Sequence, residues 1–192
     1  MILAGIRNMN VPALIRSARS RVILHAAVYA PFAASARHCA AIREYLGRPG
    51  TNGMDVITLP RTVEPWSQRF LHILRDRATE AEARRELSDS WRFLDELREG
   101  CPARLRIHEL EEAPCFPALI VDDTILFGQY ANASIPAPLG IWVRLQADVE
   151  RLMGWSITGV PENASEFDVA AYRVVEDCVR AMQSGENREH PK

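Results

Sequence analysis

Two adjacent carboxylates, Asp122 and Asp123, separate two apolar segments and are the first candidates for chemistry in this chain. Paired carboxylates can bind a metal ion or carry out acid–base work. The flanking segments, 118–121 and 124–129, have the composition of strands, so the same two residues also fit the turn of a β-hairpin. In that second interpretation, which we favour, the carboxylates accept hydrogen bonds from backbone N–H groups.

His108 follows Arg104 and Arg106 at a spacing of two residues in a segment with strand character. Alternate residues of a strand share one face, so these three side chains are expected together. An imidazole beside two guanidinium groups could bind an anion. The alternative, which we favour, is a solvated face on which the arginines pair with neighbouring glutamates. Those glutamates are Glu109, Glu111 and Glu112.

His25 lies inside the apolar run 21–29. A lone histidine in such a run is usually a hydrogen-bonded core residue, and this is our first interpretation. If its face opens to the cleft beside the hairpin, the imidazole can instead act as a general base.

Gln129, Tyr130 and Asn132 follow the second hairpin segment and fit two interpretations equally. They can line a pocket for a small ligand, or they can form a strand end with a capped loop. The four cysteines (39, 101, 115 and 178) form no CxxC pair, and no histidine lies beside them at zinc-ligand spacing. We expect small buried thiols, including Cys115, and we predict neither a metal site nor a cofactor.

The composition is that of an ordinary globular protein. The chain has 192 residues, of which 47% are hydrophobic and 25% charged, and its formal net charge is −2. This balance does not favour a nucleic-acid partner, although it leaves one open. The first residues do not resemble a secretory signal, and the longest uncharged run, 22–36, is shorter than the ~18–20 apolar residues of a membrane helix. We therefore expect a cytoplasmic protein without a membrane partner.

Hydrophobic periodicity predicts alternating helices and strands. Helices are predicted at 10–19, 33–46, from 65, from 79 and at 166–182, and strands at 21–29, 55–59, 105–109, 118–121, 124–129 and 141–145. Thr79 and Glu82 fit a capping box. The order of these elements predicts one layered α/β/α domain with a mixed β-sheet over residues 1–183. A polar, disordered tail is predicted over 184–192.

The segment 103–145 resembles the core of the phospholipase D superfamily. The family signature is His-x-Lys, four residues and Asp, followed one hairpin later by Gly-Ser-x-Asn. Aligning the family aspartate with Asp122 puts Cys115 at the histidine position and Pro117 at the lysine position. Lys192 is the only lysine of the chain, so no lysine elsewhere replaces the missing one.

Bacterial phospholipase-D-like domains of unassigned activity, often found behind an Xre-type helix-turn-helix in transcription regulators, are similar over 11–145. The features that carry this second resemblance are Asp122-Asp123, Gly128-Gln129-Tyr130, and Pro136 or Pro138.

The resemblance implies a non-catalytic binding, sensing or regulatory module that takes a small-molecule or anionic ligand. It also implies a homodimer, because family members with one motif per chain build their site across a dimer axis. For the dimer surface we expect the strands around 118–129 and the helix near Trp66. The alternative is a phosphodiester hydrolase or nuclease of the same fold, rebuilt on His25, His108 and Asp122. A third class is an interaction protein without a ligand.

Overall fold

A single mixed sheet organises the chain. The computed structural model describes residues 1–75, 78–130 and 137–186. Within them, seven strands follow the order β1-β7-β6-β5-β2-β3-β4. The strands are β1 (Ile2–Ala4), β2 (Val22–His25), β3 (Met54–Thr58), β4 (Leu105–Glu109), β5 (Ala118–Val121), β6 (Thr124–Gly128) and β7 (Ile141–Gln146). β2, β3 and β4 are parallel, and every other neighbouring pair is antiparallel.

Helices cover both faces of this sheet. They are α1 (Val11–Ser17), α2 (Ala30–Ala33), α3 (Ala36–Gly47), α4 (Pro65–Leu74), α5 (Glu80–Gly100), α6 (Val149–Thr158) and α7 (Glu166–Glu186). One core joins α4, α6, α7 and the first half of α5 to what we call the α7 face of the sheet. The other joins α1, α3 and the second half of α5 to the α3 face. The predicted layered α/β/α domain with a mixed sheet is confirmed.

The central strand β2 is buried along its whole length, as expected for a continuous apolar run. Its residues alternate, so Ile23 and His25 belong to the α7 face while Leu24 packs into the α3 face. The register puts His25 opposite Ile57 of β3, and Ile57 opposite His108 of β4. The two histidines therefore share one row on the α7 face, separated by one strand.

The helix starts follow local side-chain chemistry. Thr79 and Glu82 form the predicted capping box, in which each side chain accepts a hydrogen bond from the backbone N–H of the other residue. At α4, Glu64 and Ser67 form a similar box in front of Pro65. These bonds satisfy N–H groups that the first helical turn leaves without a partner.

Several elements differ from their predicted bounds. Strand β1 and the helices α2 and α6 were not predicted, and the helix predicted at 33–46 corresponds to α3, which begins three residues later at Ala36. Helix α7 continues to Glu186, so the first residues of the predicted tail are helical, while 187–192 lie outside the described residues. No helix in the described ranges is long and apolar enough to cross a membrane.

Candidate functional site

Asp122 ties the β5–β6 hairpin to the chain that enters β2. Its carboxylate accepts three backbone N–H bonds, from Arg19 (2.8 Å), Ser20 (2.9 Å) and Arg21 (3.0 Å). Burial pushes the pKa of Asp122 upwards, but these donors outweigh it and hold the pKa below its usual value. The residue has φ +48°, a left-handed turn conformation that Asp tolerates. Both carboxylate oxygens therefore stabilise the fold by binding the backbone that precedes β2.

Asp123 has a similar local role. Its side chain is exposed, and one carboxylate oxygen accepts the N–H of Val149 at the start of α6 (3.3 Å). Its carbonyl oxygen accepts the N–H of Ala147 (3.0 Å). Among the residues described, no cluster of His, Cys, Asp and Glu fits a metal ion. The geometry of both aspartates is that of turn residues.

His108 belongs to a buried charged cluster that the sequence did not indicate. Its Nε2–H donates to Oδ1 of Asp55 (3.0 Å), and both side chains are buried. Arg106 completes the cluster with two bonds of 2.7 Å to the two oxygens of Asp55. Burial acts to raise the pKa of Asp55, but the hydrogen bonds from His108 and Arg106 lower it below its usual value. Arg106 thus pairs with Asp55, a partner that the sequence did not indicate.

Arg104 does not join this cluster. Its guanidinium donates to the carbonyl oxygen of Thr51 (3.1 Å) and also contacts the hydroxyl of the same residue. The three side chains therefore do not form the alternative anion site, because Asp55 already binds Arg106 and His108.

His25 is buried, with 1% of its surface exposed. Its Nδ1 atom lies 3.7 Å from a carboxylate oxygen of Asp177 and 3.8 Å from the sulfur of Cys178, both on α7. Its Nε2 atom has no hydrogen-bond partner among the residues described. Burial lowers the pKa of His25 to about 4, so the ring is neutral at pH 7.

A cavity of about 130 Å³ lies at the carboxyl end of β2, with His25 in its wall. The wall is mainly apolar and also includes residues from the start of β5, from β7 and from the β2–α2 connection. Among them are Ala26, Tyr29, Pro117, Ala118, Tyr130 and Trp142. His25 thus lines a largely apolar cavity and also carries a buried nitrogen without a partner among the described residues, and an unmade hydrogen bond of this kind is costly.

Tyr130 is the member of the predicted pocket-lining group that reaches this cavity. Its hydroxyl oxygen accepts the backbone N–H of Ala27 (3.0 Å), and its ring packs edge-on against Phe70 at 5.2 Å. Gln129 is exposed and does not line the cavity, and Asn132 lies outside the described residues.

Gly128 has a steric role beside the same cavity. An added Cβ at this position would lie 2.6 Å from the indole ring of Trp142, across the β6–β7 pair. Glycine therefore lets the indole pack over β6 and complete part of the cavity wall.

Larger and more polar depressions lie on the surface, and two of them contain residues discussed above. One, of about 420 Å³, borders Asp122, whose carboxylate is already satisfied. The other, of about 640 Å³, lies between residues 110–115 and α7. Cys115 lies in this second depression and is exposed, so the expectation of a buried thiol is wrong for this cysteine. Of the four thiols, Cys178 alone is fully buried.

The residues of the alternative hydrolase are not brought together. His25 and His108 lie two strands apart, about 10 Å, with Ile57 between them. Asp122 binds the chain at the opposite end of β2 from His25, about 13 Å along the strand. A general base and a nucleophile must lie within hydrogen-bond reach, so this set cannot act on one phosphodiester.

Comparison with known proteins adds little. No protein-family model matches the chain, and no curated protein matches its sequence significantly. Among solved structures the chain is similar to TrmBL2, described as an archaeal chromatin protein that shows a novel mode of DNA binding. The TM-score is 0.40 and the identity 13%, over 77% of this chain and 46% of that one. The chain thus spans less than half of TrmBL2, and a similarity at this level says nothing about what the chain binds.

The partners of His25 and His108 were missed by sequence reasoning. The position of Asp55 in an apolar strand could have indicated its pairing, because a buried carboxylate must be paired or neutralised. Asp177 and Cys178 offered none, because only the packing of α7 on β2 brings them to His25.

Proposed function

We propose that this chain is a phospholipase-D-like domain without the family's catalytic His and Lys, which binds a small uncharged molecule in the His25 cavity. The observation that carries the proposal is that His25, a residue of this mainly apolar wall, keeps a buried Nε2 atom with no partner among the described residues.

The position of the cavity supports a ligand site. From β2 the chain proceeds to β3 and β4 on one side, and then returns to the other side at β5. The crevice at the carboxyl end of β2 is therefore the point where the strand order reverses. Open α/β sheets commonly bind their ligands at such points.

The chemistry of the wall favours an uncharged ligand. His25 is neutral at pH 7, because burial lowers its pKa to about 4. Arg75 also lines the cavity, but it makes two hydrogen bonds to the carboxylate of Glu86. Pro117 occupies the position of the family lysine and contributes only apolar surface. An anionic phosphodiester would therefore enter this site without a free cation to stabilise it.

The size of the cavity limits the ligand. A volume of about 130 Å³ is similar to that of apolar protein cavities that accept benzene. We therefore propose a molecule of about that size with one hydroxyl or similar group, which hydrogen-bonds to Nε2 of His25. Phenol is a suitable probe, and benzene is its matched control without the hydroxyl.

Thermal shift measurements test this function. Phenol should raise the melting temperature of the wild-type protein saturably and more than benzene does. His25→Phe should keep the ring volume but lose the preference for phenol, and Ala26→Leu should reduce binding of both probes by filling the cavity. His38→Phe, a histidine of α3 outside the cavity wall, should behave like wild type. Equal responses to phenol in wild type and His25→Phe would contradict the proposal.

Hydrolysis assays test whether the domain lacks the phosphodiesterase activity of the family. The purified protein should not hydrolyse DNA, RNA or a chromogenic phosphodiester above the level of its Cys115→Ala variant. Without a cation at the lysine position, developing negative charge on the phosphoryl group loses a major stabilising partner. Turnover that disappears in His25→Ala or His108→Ala would support the hydrolase instead.

We also propose that the domain is homodimeric, through a surface other than those expected. Strands β5 and β6 have neighbours on both sides and present no edge. In α4, Phe70 is buried and Trp66 is partly buried against the core. The homodimer that the resemblance implies therefore needs another surface.

A further inference from the structure

Strand β1 ends the sheet, and no strand among the described residues pairs with its outer edge. Towards β7, the carbonyl oxygen of Met1 accepts the N–H of Arg144 (2.8 Å), and the N–H of Gly5 donates to Gly140 (2.7 Å). The N–H and C=O groups of successive residues point to alternate sides of an antiparallel strand. Those of Leu3, midway between Met1 and Gly5, therefore also face β7. The N–H and C=O groups of Ile2 and Ala4 consequently point outwards.

The α7 face of this edge is apolar and exposed. Ile2 is 76% exposed and Ile141 is 58% exposed, and Ile2 lies opposite Val143 while Ala4 lies opposite Ile141. Leu139, just before β7, is 45% exposed, and Met1, on the opposite face with Leu3, is 65% exposed. Ile2 to Ile6 include no charged or proline residue that would oppose strand pairing, although β1 is only three residues long.

We infer that β1 pairs in antiparallel fashion with β1 of a second copy of this chain, about a twofold axis at Leu3. In that register Ile2 lies opposite Ala4 of the partner subunit, and Ala4 lies opposite Ile2 of the partner subunit. Both are hydrogen-bonded pairs, so the outward N–H and C=O groups of the two residues are all used. Leu3 faces Leu3 of the partner subunit as the non-hydrogen-bonded pair between them.

The edge is self-complementary, which favours a second copy over an unrelated partner. Its two hydrogen-bonding residues lie symmetrically about Leu3, as a twofold interface requires. On the α7 face, Val143 and Ile2 continue directly into Ala4 and Ile141 of the partner subunit, which makes one apolar row across four strands. In that row the side chain of Ile2, 76% exposed in a single copy, is covered on its open side by the partner subunit.

This inference rests on the homodimer of the proposed function and adds its interface, but it does not depend on the ligand cavity. Light scattering at micromolar concentration should give about twice the chain mass of 21.6 kDa. Ala4→Pro should make the protein monomeric, because proline removes an outward N–H and leaves the bonds to β7 in place. Ile2→Lys should do the same by placing a charge in the apolar row. Ile157→Lys, at an 85% exposed position of α6, is the matched control and should stay dimeric.

A crosslink tests the register itself. In a Cys115→Ala background, which removes the exposed thiol, Leu3→Cys should form a dimer under oxidation that is visible on a non-reducing gel. The two Cα atoms of a non-hydrogen-bonded pair are about 4.5 Å apart, within the range for a disulfide. Ile2→Cys in the same background should crosslink far less, because residue 2 lies opposite residue 4 of the partner subunit and only diagonally from residue 2 of that subunit.

The possible results distinguish the β1 interface from the homodimer in general and from the ligand cavity. A wild-type monomer at all concentrations would overturn both the homodimer and this interface, while phenol binding would still test the cavity. A wild-type dimer that Ala4→Pro and Ile2→Lys leave intact, with no Leu3→Cys crosslink, would overturn the β1 interface alone.

Discussion

His25 Nδ1 lies 3.7 Å from Oδ2 of Asp177, across the contact between β2 and α7. A carboxylate at this distance favours a charged imidazole, yet burial dominates and lowers the pKa of His25 to about 4. Burial likewise raises the pKa of Asp177 above its usual value. The pair therefore keeps a neutral ring at physiological pH, and its second nitrogen remains able to bind a ligand.

The neutral state of His25 predicts a pH dependence of stability. The unfolded chain binds a proton on this ring near pH 6.5, but the folded protein does so only near pH 4. The contribution of the neutral ring is therefore complete above pH 6.5 and is lost as the pH falls towards 4, by up to about 3 kcal/mol. Denaturant unfolding at several pH values in this window should show a smaller loss for His25→Phe than for wild type.

Other groups with shifted pKa values also contribute to the pH dependence of stability. The pKa of His38 is also lowered by burial and adds a loss of the same sign, whereas the raised pKa of Asp177 acts in the opposite direction. Asp55 and Asp122 have lowered pKa values, so their contributions are lost only below the usual carboxylate range. Identical pH profiles for wild type and His25→Phe would show that His25 is not held neutral by burial.

Asp122→Asn should destabilise the protein by about 1–2 kcal/mol. Asparagine tolerates the left-handed φ but replaces one acceptor oxygen by a donor, which opposes the N–H groups of Arg19 to Arg21. Asp123→Asn is the control and should change the free energy of unfolding by less than about 0.5 kcal/mol, because its side chain is exposed.

Magnesium or calcium should leave the melting temperature of the wild-type protein unchanged, because the oxygens of Asp122 already bind backbone N–H groups. A metal-induced rise that the double Asn variant lacks would instead identify a ligand site.

Asp55→Asn should cost about 3 kcal/mol or more, since it removes the partner of a buried histidine and of one arginine. Arg106→Leu should cost less, because the guanidinium is 45% exposed and His108 still satisfies one oxygen of Asp55. Chemical denaturation of the two variants measures the difference. The reverse order of the two costs would mean that Arg106, and not Asp55, is the member on which the cluster depends.

Much of the sheet could be predicted from sequence, because its strands are short apolar runs with clear ends. The bounds of β4 and β5 match the prediction, and those of β6 and β7 differ by one residue. Strand β2 ends at His25, four residues before its predicted end, where the chain leaves the sheet towards α2. Strand β1 was missed because three residues carry no usable periodicity.

The candidate site was less predictable for a physical reason. The turn role of Asp122 follows from local chemistry, and it was the favoured interpretation. The pairing of His108 with Asp55 joins residues 53 positions apart, and the contact of His25 with Asp177 joins residues further apart still. Such contacts depend on how β3 meets β4 and where α7 crosses β2, which no local pattern specifies.

The most direct test of the central claim is an NMR titration of the His25 side chain, in which imidazole ¹⁵N resonances are followed as phenol is added. Binding in the cavity predicts a saturable shift of the His25 Nε2 resonance, larger with phenol than with benzene and strongly reduced in Ala26→Leu. The His38 and His108 resonances should not follow the same curve. A His25 resonance that stays unchanged up to the solubility limit of phenol, or that shifts equally with benzene, would contradict the proposed ligand site.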